Sequence, residues 1–200
     1  MENNTMSYED FSSQMEGIRS EFESSQKSRD SLIKQSRDIV SYSKKVIYSI
    51  HRNDSESAEK YAGELDSIAS SFNNGLKEAG FNSQSHGFAA NAMQEYVEAK
   101  VLLFFYSERK IMLKQHFIDN ATYLSGLCDL SGELLRMAIN NALTDRKLFD
   151  DCKMSVTAIF NELMLFDLPN SELRRKFDSL KYAVKRLEET ALELGMKNGK

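Results

Sequence analysis

The residues best suited to chemistry in this 200-residue sequence are carboxylates that occur in two pairs. Glu95 and Glu98 are three apart and Asp129 and Glu133 four apart, and on a helix either spacing puts both side chains on one face. Glu95 and Glu98 immediately precede the most apolar stretch of the chain, Val101-Leu102-Leu103-Phe104-Phe105-Tyr106, while Asp129 and Glu133 flank Leu130, beside Leu127 and Leu134. Both pairs therefore border candidate core. Antiparallel packing of the two helices would bring four oxygen-bearing side chains together, and a hard cation such as Mg²⁺ or Mn²⁺ would relieve their repulsion. Such a cation activates water and neutralises charge developing on a phosphodiester. The spacing is equally compatible with acids on solvated helix faces, or with partners for Arg136 and Lys100.

Cationic residues form the second pattern. Lys34, Arg37, Ser41, Lys45, Tyr48 and Arg52 follow one another at steps of three or four, with Lys44 and His51 beside them. This is a stripe about four helical turns long, suited to contacting phosphates, and a plain solvated face is the alternative. Arg174-Arg175-Lys176 and Lys181, Lys185 and Arg186 are weaker candidates, because any amphipathic helix shows a charged outer face. Sequence signatures for phosphate loops, dinucleotide sites, zinc proteases and serine hydrolases are absent. The three histidines, at 51, 86 and 116, are too scattered for a His-rich metal site and read as surface or loop residues. Cys128 and Cys152 are too few for a disulfide framework and form no CxxC pair, which fits a reducing compartment.

Helices must position these groups. One Pro and nine Gly in 200 residues leave few chain breaks, so an all-α bundle of about six to seven helices is expected over residues 1–200 as a single domain, with 1–8 and 195–200 flexible. Phe11, Met15, Ile18 and Phe22, then Ile33, Ile39, Val40, Val46, Ile47 and Ile50, predict one long helix over about residues 8–52, with a bend allowed in the polar stretch 23–29. Asn53 and Asp54 break it. Tyr61, Leu65, Ile68, Phe72 and Leu76 mark a second helix that Gly80 stops, and 82–87 is a loop. A third helix is expected from about 88 to 115, buried all round at 101–106. Asp119 or Asn120 opens a fourth, with Tyr123, Leu127, Leu130, Leu134 and Met137 inward. Asp145 opens a fifth, with Val156, Ile159, Phe160 and Leu163 inward, ended by Leu168-Pro169-Asn170. In the last, Leu173, Phe177, Leu180, Val184, Leu187, Ala191 and Leu194 form a seam, packed within the bundle or between subunits. Gly126 and Gly132 lie inside the fourth helix, each costing about 1 kcal/mol relative to Ala, and predict close approach of a neighbouring helix, with room for a ligand beside Asp129 and Glu133 as the alternative.

A net charge of -4 argues against a wholly basic nucleic-acid binder, though not against a local stripe. No apolar run reaches the roughly 18 to 20 residues of a membrane span, and the polar N-terminus is unlike a signal peptide, so a cytoplasmic protein is expected.

Taken together, Ser36-Arg37-Asp38-Ile39, Ser43-Lys44-Lys45, Ile50-His51-Arg52, Glu95-Tyr96-Val97-Glu98, Tyr123-Leu124-Ser125-Gly126, Asp129-Leu130-Ser131-Gly132-Glu133-Leu134 and Arg136-Met137 resemble the translin family, in its translin-associated factor X branch. Leu173-Arg174-Arg175-Lys176-Phe177-Asp178 and Leu180-Lys181-Tyr182-Ala183-Val184-Lys185 look more like translin itself. The resemblance covers about residues 30 to 194. It implies an all-α fold, hollow octamers, and binding of single-stranded or structured RNA and of DNA. Motif by motif, it puts catalytic acids at Glu95, Glu98, Asp129 and Glu133. Glu98, Asp129 and Glu133 would hold Mg²⁺ or Mn²⁺, with Glu95 a further ligand or the base that orients water. Lys34, Arg37, Lys44, Lys45 and Arg52 would contact the nucleic acid. The short segment before Tyr123 and the early C-terminus imply a prokaryotic, archaeal relative that forms a homo-oligomer without a separate translin subunit. A metal-dependent endoribonuclease is the expectation, and a non-catalytic nucleic-acid-binding oligomer is its rival.

Overall fold

The computed structural model describes residues 7–81, 87–168 and 171–198, and all regular structure in them is α-helical. Six helices follow one another: α1 Tyr8–His51, α2 Ser55–Glu78, α3 Gly87–Glu108, α4 Asn120–Asn141, α5 Arg146–Leu163 and α6 Glu172–Asn198. Their starts are set by local chemistry. Ser7, Asp54, Asp119 and Asp145 are N-caps whose side chains accept hydrogen bonds from the backbone N–H groups of Asp10, Ser57, Thr122 and Leu148. Gly80, at φ +68°, ends α2 with its own N–H bonded to Lys77 O and that of Phe81 bonded to Leu76 O.

α1 runs unbroken through its polar stretch and extends about 66 Å at 1.5 Å per residue. It packs on α2 and α3, α3 packs on α4, and α4 in turn carries α5 and α6 on its other side. The core holds Ile39, Val46 and Ile50 of α1, Leu65 and Phe72 of α2, Leu102 and Phe105 of α3, and Leu130 and Leu134 of α4. Phe149 of α5 and Leu180 and Leu187 of α6 complete it.

Phe11, Met15, Ile18 and Phe22 lie on α1 as expected of one apolar helix face, and this face is 51%, 39%, 49% and 63% exposed. Several expectations need correction. α3 stops at Glu108 rather than near 115. Arg109 turns left-handed (φ 56°), and side chains tie down the extended segment that follows. The Tyr123 hydroxyl donates to Met112 O at 2.7 Å, Lys114 Nζ to Ile118 O at 2.8 Å, and the Tyr96 hydroxyl to Gln115 Oε1 at 3.0 Å. The apolar run of α3 is not buried all round either, since Phe104 faces outward. α5 ends at Leu163, before Leu168, while Pro169-Asn170 and most of the expected 82–87 loop lie outside the described residues. The seam of α6 serves the bundle: Phe177, Leu180, Leu187 and Leu194 are buried within the chain. α6 continues through Gly195 to Asn198.

Candidate functional site

The acids of α3 and α4 are brought together because one glycine lets the two helices close. A Cβ on Gly126 would stand 2.6 Å from Val97 Cγ1 and 3.1 Å from the carbonyl oxygen of Gln94. Gln94 and Val97 bracket Glu95, and Asp129 lies about one turn beyond Gly126, so the closest contact of α3 with α4 is next to both acid pairs. Gly132 differs: a Cβ there would meet nothing within 4 Å, so the close approach expected of both glycines holds only for Gly126.

Glu95, Glu98, Asp129 and Glu133 are all partly buried, and Glu95 and Glu98 feel the charges of Asp129 and Glu133. Burial, together with the charges of Asp129, Glu95 and Glu133, pushes the Glu98 carboxyl up to about 8. Burial raises Glu95 as well, opposed by the nearby Lys44 ammonium, and raises Asp129, opposed by Lys176. Glu133 moves the other way. The His51 imidazole hydrogen-bonded to it holds it below the usual carboxylate range, with Arg136 assisting.

Two contacts that the spacing of residues does not reveal hold the acids of α4. His51 Nε2, on a side chain only 6% exposed, lies 2.5 Å from Glu133 Oε2, and since a carboxylate only accepts, Nε2 carries the donated proton. His51 thus belongs to the site and is not the surface residue expected. Lys176 of α6 donates to Asp129 Oδ2 and, at 2.8 Å, to Oε1 of the buried Gln94. Arg136 Nη1 sits 3.6 Å from Glu133, one of the two pairings the sequence allows. Lys100 takes Asp66 instead, at 2.8 Å. Among the described residues no group of three or more His, Cys, Asp or Glu side chains gathers closely enough to hold a metal ion. The donor set, four carboxylates, suits a hard cation in kind. Its members do not converge here because Asp129 is turned to Lys176 and Glu133 to His51.

A cleft of about 350 Å³ opens over the acids, lined by Lys44, Ile47 and Tyr48 of α1, Glu95 and Glu98 of α3, and Glu133 and Arg136 of α4. Lys34, Arg37, Lys44, Lys45 and Arg52 are exposed along α1, and Lys44 is the one that lines the cleft. Lys45 Nζ stands 4.1 Å from the Tyr42 ring centroid and 5.5 Å from that of Tyr61, and Arg52 donates to the Tyr48 hydroxyl at 2.8 Å. These contacts orient two cations without neutralising them. Cys128, beside Asp129, is buried with its thiol pushed up to about 12, and neither cysteine is in a disulfide. No described helix is long and apolar enough to cross a membrane.

A helical bundle with a carboxylate cluster at its α3–α4 contact and a cationic first helix along the rim is a recognisable class. Residues 27–198 match the model of the Translin family, and the chain belongs to that family. Translin of Gallus gallus is 33% identical over 84 residues, 40% of this chain and 35% of that protein. Translin of Homo sapiens is 32% identical over 88 residues, 42% of this chain and 37% of that protein, so the matched part spans little more than a third of these translins. A translin-associated protein X homolog of Schizosaccharomyces pombe is 25% identical over 191 residues, 82% of this chain and 79% of that one. Among solved structures, apo-NeC3PO superposes with a TM-score of 0.83 at 25% identity, covering 96% of this chain and 100% of that one. AfC3PO in its complex with duplex RNA has the same fold, with a TM-score of 0.81 at 24% identity over 92% of this chain and 97% of that one.

Proposed function

We propose that the protein is a divalent-metal-dependent endoribonuclease that binds RNA, and also single-stranded DNA, and hydrolyses RNA within a homo-oligomeric, octameric shell. The observation that carries this reading is the shared environment of Glu95, Glu98, Asp129 and Glu133 beneath Lys44 and Tyr48. Glu95 and Glu98, raised by burial and by the charges of Asp129 and Glu133, are a cost to the fold. A bound cation would remove that cost. Glu98, Asp129 and Glu133 would hold Mg²⁺ or Mn²⁺, and Glu95 would join them or orient the attacking water. When bound, the ion supplies Lewis-acid activation of water and neutralises charge on the phosphodiester. Lys44 and Tyr48 would seat the phosphate at the cleft, and Lys34, Arg37, Lys45 and Arg52 would carry the strand along α1. The structural likeness to AfC3PO, solved with duplex RNA, supports RNA as the ligand.

The oligomer is supported by a surface other than the α6 seam. Phe11, Met15, Ile18 and Phe22 continue, at alternating steps of four and three, the face that Leu32, Ile39, Val46 and Ile50 bury inside the chain. A second copy would cover on the N-terminal part of α1 what α2 and α3 cover further along.

One observation favours a rival reading, nucleic-acid binding without catalysis: Asp129 and Glu133 are already paired with Lys176 and His51. A single assay separates the two. Purified protein incubated with single-stranded and duplex RNA should cut only when Mg²⁺ or Mn²⁺ is present and stop in EDTA. Binding without cutting under every metal condition makes the rival reading the correct one.

A further inference from the structure

We propose that Lys176 is a displaceable counter-ion of the acid cluster: its ammonium occupies on Asp129 the place a divalent cation would take, and yields that place when the cation binds. The inference rests on the metal-dependent reading above and adds a residue and a competition to it.

The contacts of Lys176 are unlike those of a surface ion pair. The lysine crosses from α6 to reach two helices at once, meeting Asp129 of α4, 47 residues away in sequence, and Gln94 of α3, 82 residues away. Its side chain is 20% exposed and that of Asp129 32%, whereas the α6 pairs Lys185–Glu189 and Arg186–Glu189 join side chains that are 45% to 76% exposed. Half-buried ion pairs contribute little net stability, because desolvation offsets their attraction. Stability alone therefore does not explain why the chain brings a lysine here.

Charge explains it better. Among the described residues, Glu95 and Glu98 accept no hydrogen bond from any protein group, and Lys176 is the cation hydrogen-bonded to Asp129. A lysine is a point charge on a flexible stem with three donors, which makes it a single-charge substitute for a metal ion. A cation coordinated to Asp129 Oδ2 would need the lone pairs that the ammonium now engages, and the two positive charges would repel. Binding one excludes the other. Once released, the ammonium keeps only the neutral side chain of Gln94 as partner and lies within the same site, where an RNA phosphate oxygen is its natural acceptor.

The test measures metal binding, not turnover. Mn²⁺ alone is titrated into metal-stripped full-length wild type, Lys176→Met and Lys176→Arg, with free Mn²⁺ followed by electron paramagnetic resonance and melting temperature followed in parallel. Lys176→Met should bind Mn²⁺ about tenfold more tightly than wild type, the size of one lost competing charge-assisted hydrogen bond. It should melt lower than wild type in EDTA, and Mn²⁺ should close that gap. Lys176→Arg, which keeps the charge, should track wild type in both. Lys176→Gln replaces Lys176→Met if the latter does not fold in EDTA, with the same gain in Mn²⁺ affinity expected. Unchanged or weaker Mn²⁺ binding by the uncharged variants, with wild type binding normally, overturns this inference alone. Absence of Mn²⁺ binding in wild type and every variant overturns the metal-dependent reading along with it.

Discussion

Two glycines on α4 should respond to the same substitution with opposite signs. Gly132→Ala adds a methyl group where nothing lies within 4 Å, so the helix gains about 1 kcal/mol from the better propensity of Ala and loses no contact. Gly126→Ala gains the same propensity term but drives the new Cβ to 2.7 Å from Val97 Cβ, roughly 0.7 Å inside ordinary van der Waals contact. That atom is fixed to the α3 backbone and cannot rotate away. Either α3 shifts as a unit or its packing strains, at a cost of about 1–3 kcal/mol, so the net effect is a loss of up to about 2 kcal/mol. The two variants should therefore differ by about 1–3 kcal/mol, and each kcal/mol moves the melting temperature of a chain this size by about 2–4 °C. Urea and thermal unfolding followed by circular dichroism, under identical protein concentration and metal content, measure the difference. Because Val97 lies between Glu95 and Glu98, the shift in Gly126→Ala should also weaken Mn²⁺ binding, while Gly132→Ala leaves it unchanged. Equal stability of the two variants, or a more stable Gly126→Ala, would refute the close-approach reasoning.

Asp129→Asn and Glu98→Gln should abolish RNA cleavage while RNA affinity stays within about twofold of wild type by filter binding, since neither acid contacts phosphate; cleavage at the wild-type rate would remove these acids from the site. In EDTA, Glu98 titrates in the fold near 8 against 4.5 unfolded, so the folded state binds the extra proton between those values and stability falls as pH rises through them. Glu98→Gln should flatten that fall in melting temperature from pH 5 to 8.5, and an unchanged slope would place the cause elsewhere. Replacing Arg37, Lys45 and Arg52 together by Ala should weaken RNA binding for all sequences and reduce the salt slope by up to about one counterion per contact, an outcome read from affinities at several salt concentrations. Ile18→Glu with Phe22→Glu should lower the mass measured by light scattering while leaving helical content intact; an unaltered mass would move the subunit contact off α1.

What could be read without coordinates was local. Asp54, Asp119 and Asp145 end up as N-caps and Gly80 as a helix stop because a cap acts on backbone three residues away, within reach of any sequence window. The acids were visible for the same reason, as pairs on single helix faces. The end of α3 was hidden, since no Gly or Pro marks it and bonds from Tyr123, Lys114 and Tyr96 hold the segment open. Periodicity in α1 signals an apolar face at Phe11–Phe22 but carries no information on what covers it, and the chain leaves that face exposed. His51 and Lys176 were misjudged because their partners are 82 and 47 residues away, and only packing connects them.

Those two side chains also give the cluster a polarity. Both reach it from outside the acid-bearing helices, His51 from the end of α1 and Lys176 from the first turns of α6, and both pair with the acids of α4. Among the described residues the acids of α3 receive no hydrogen bond, and burial raises them, whereas Glu133 is held low. Burial thus biases Glu98 and Glu95 toward their neutral forms, on the side of the cleft where Lys44 opposes that bias at Glu95. On the metal-dependent reading proposed above, a cation would displace fewer described contacts at Glu95 and Glu98 than at Asp129 and Glu133. On that reading, Asp129 and Glu133 would join such a cation only by giving up their contacts with Lys176 and His51.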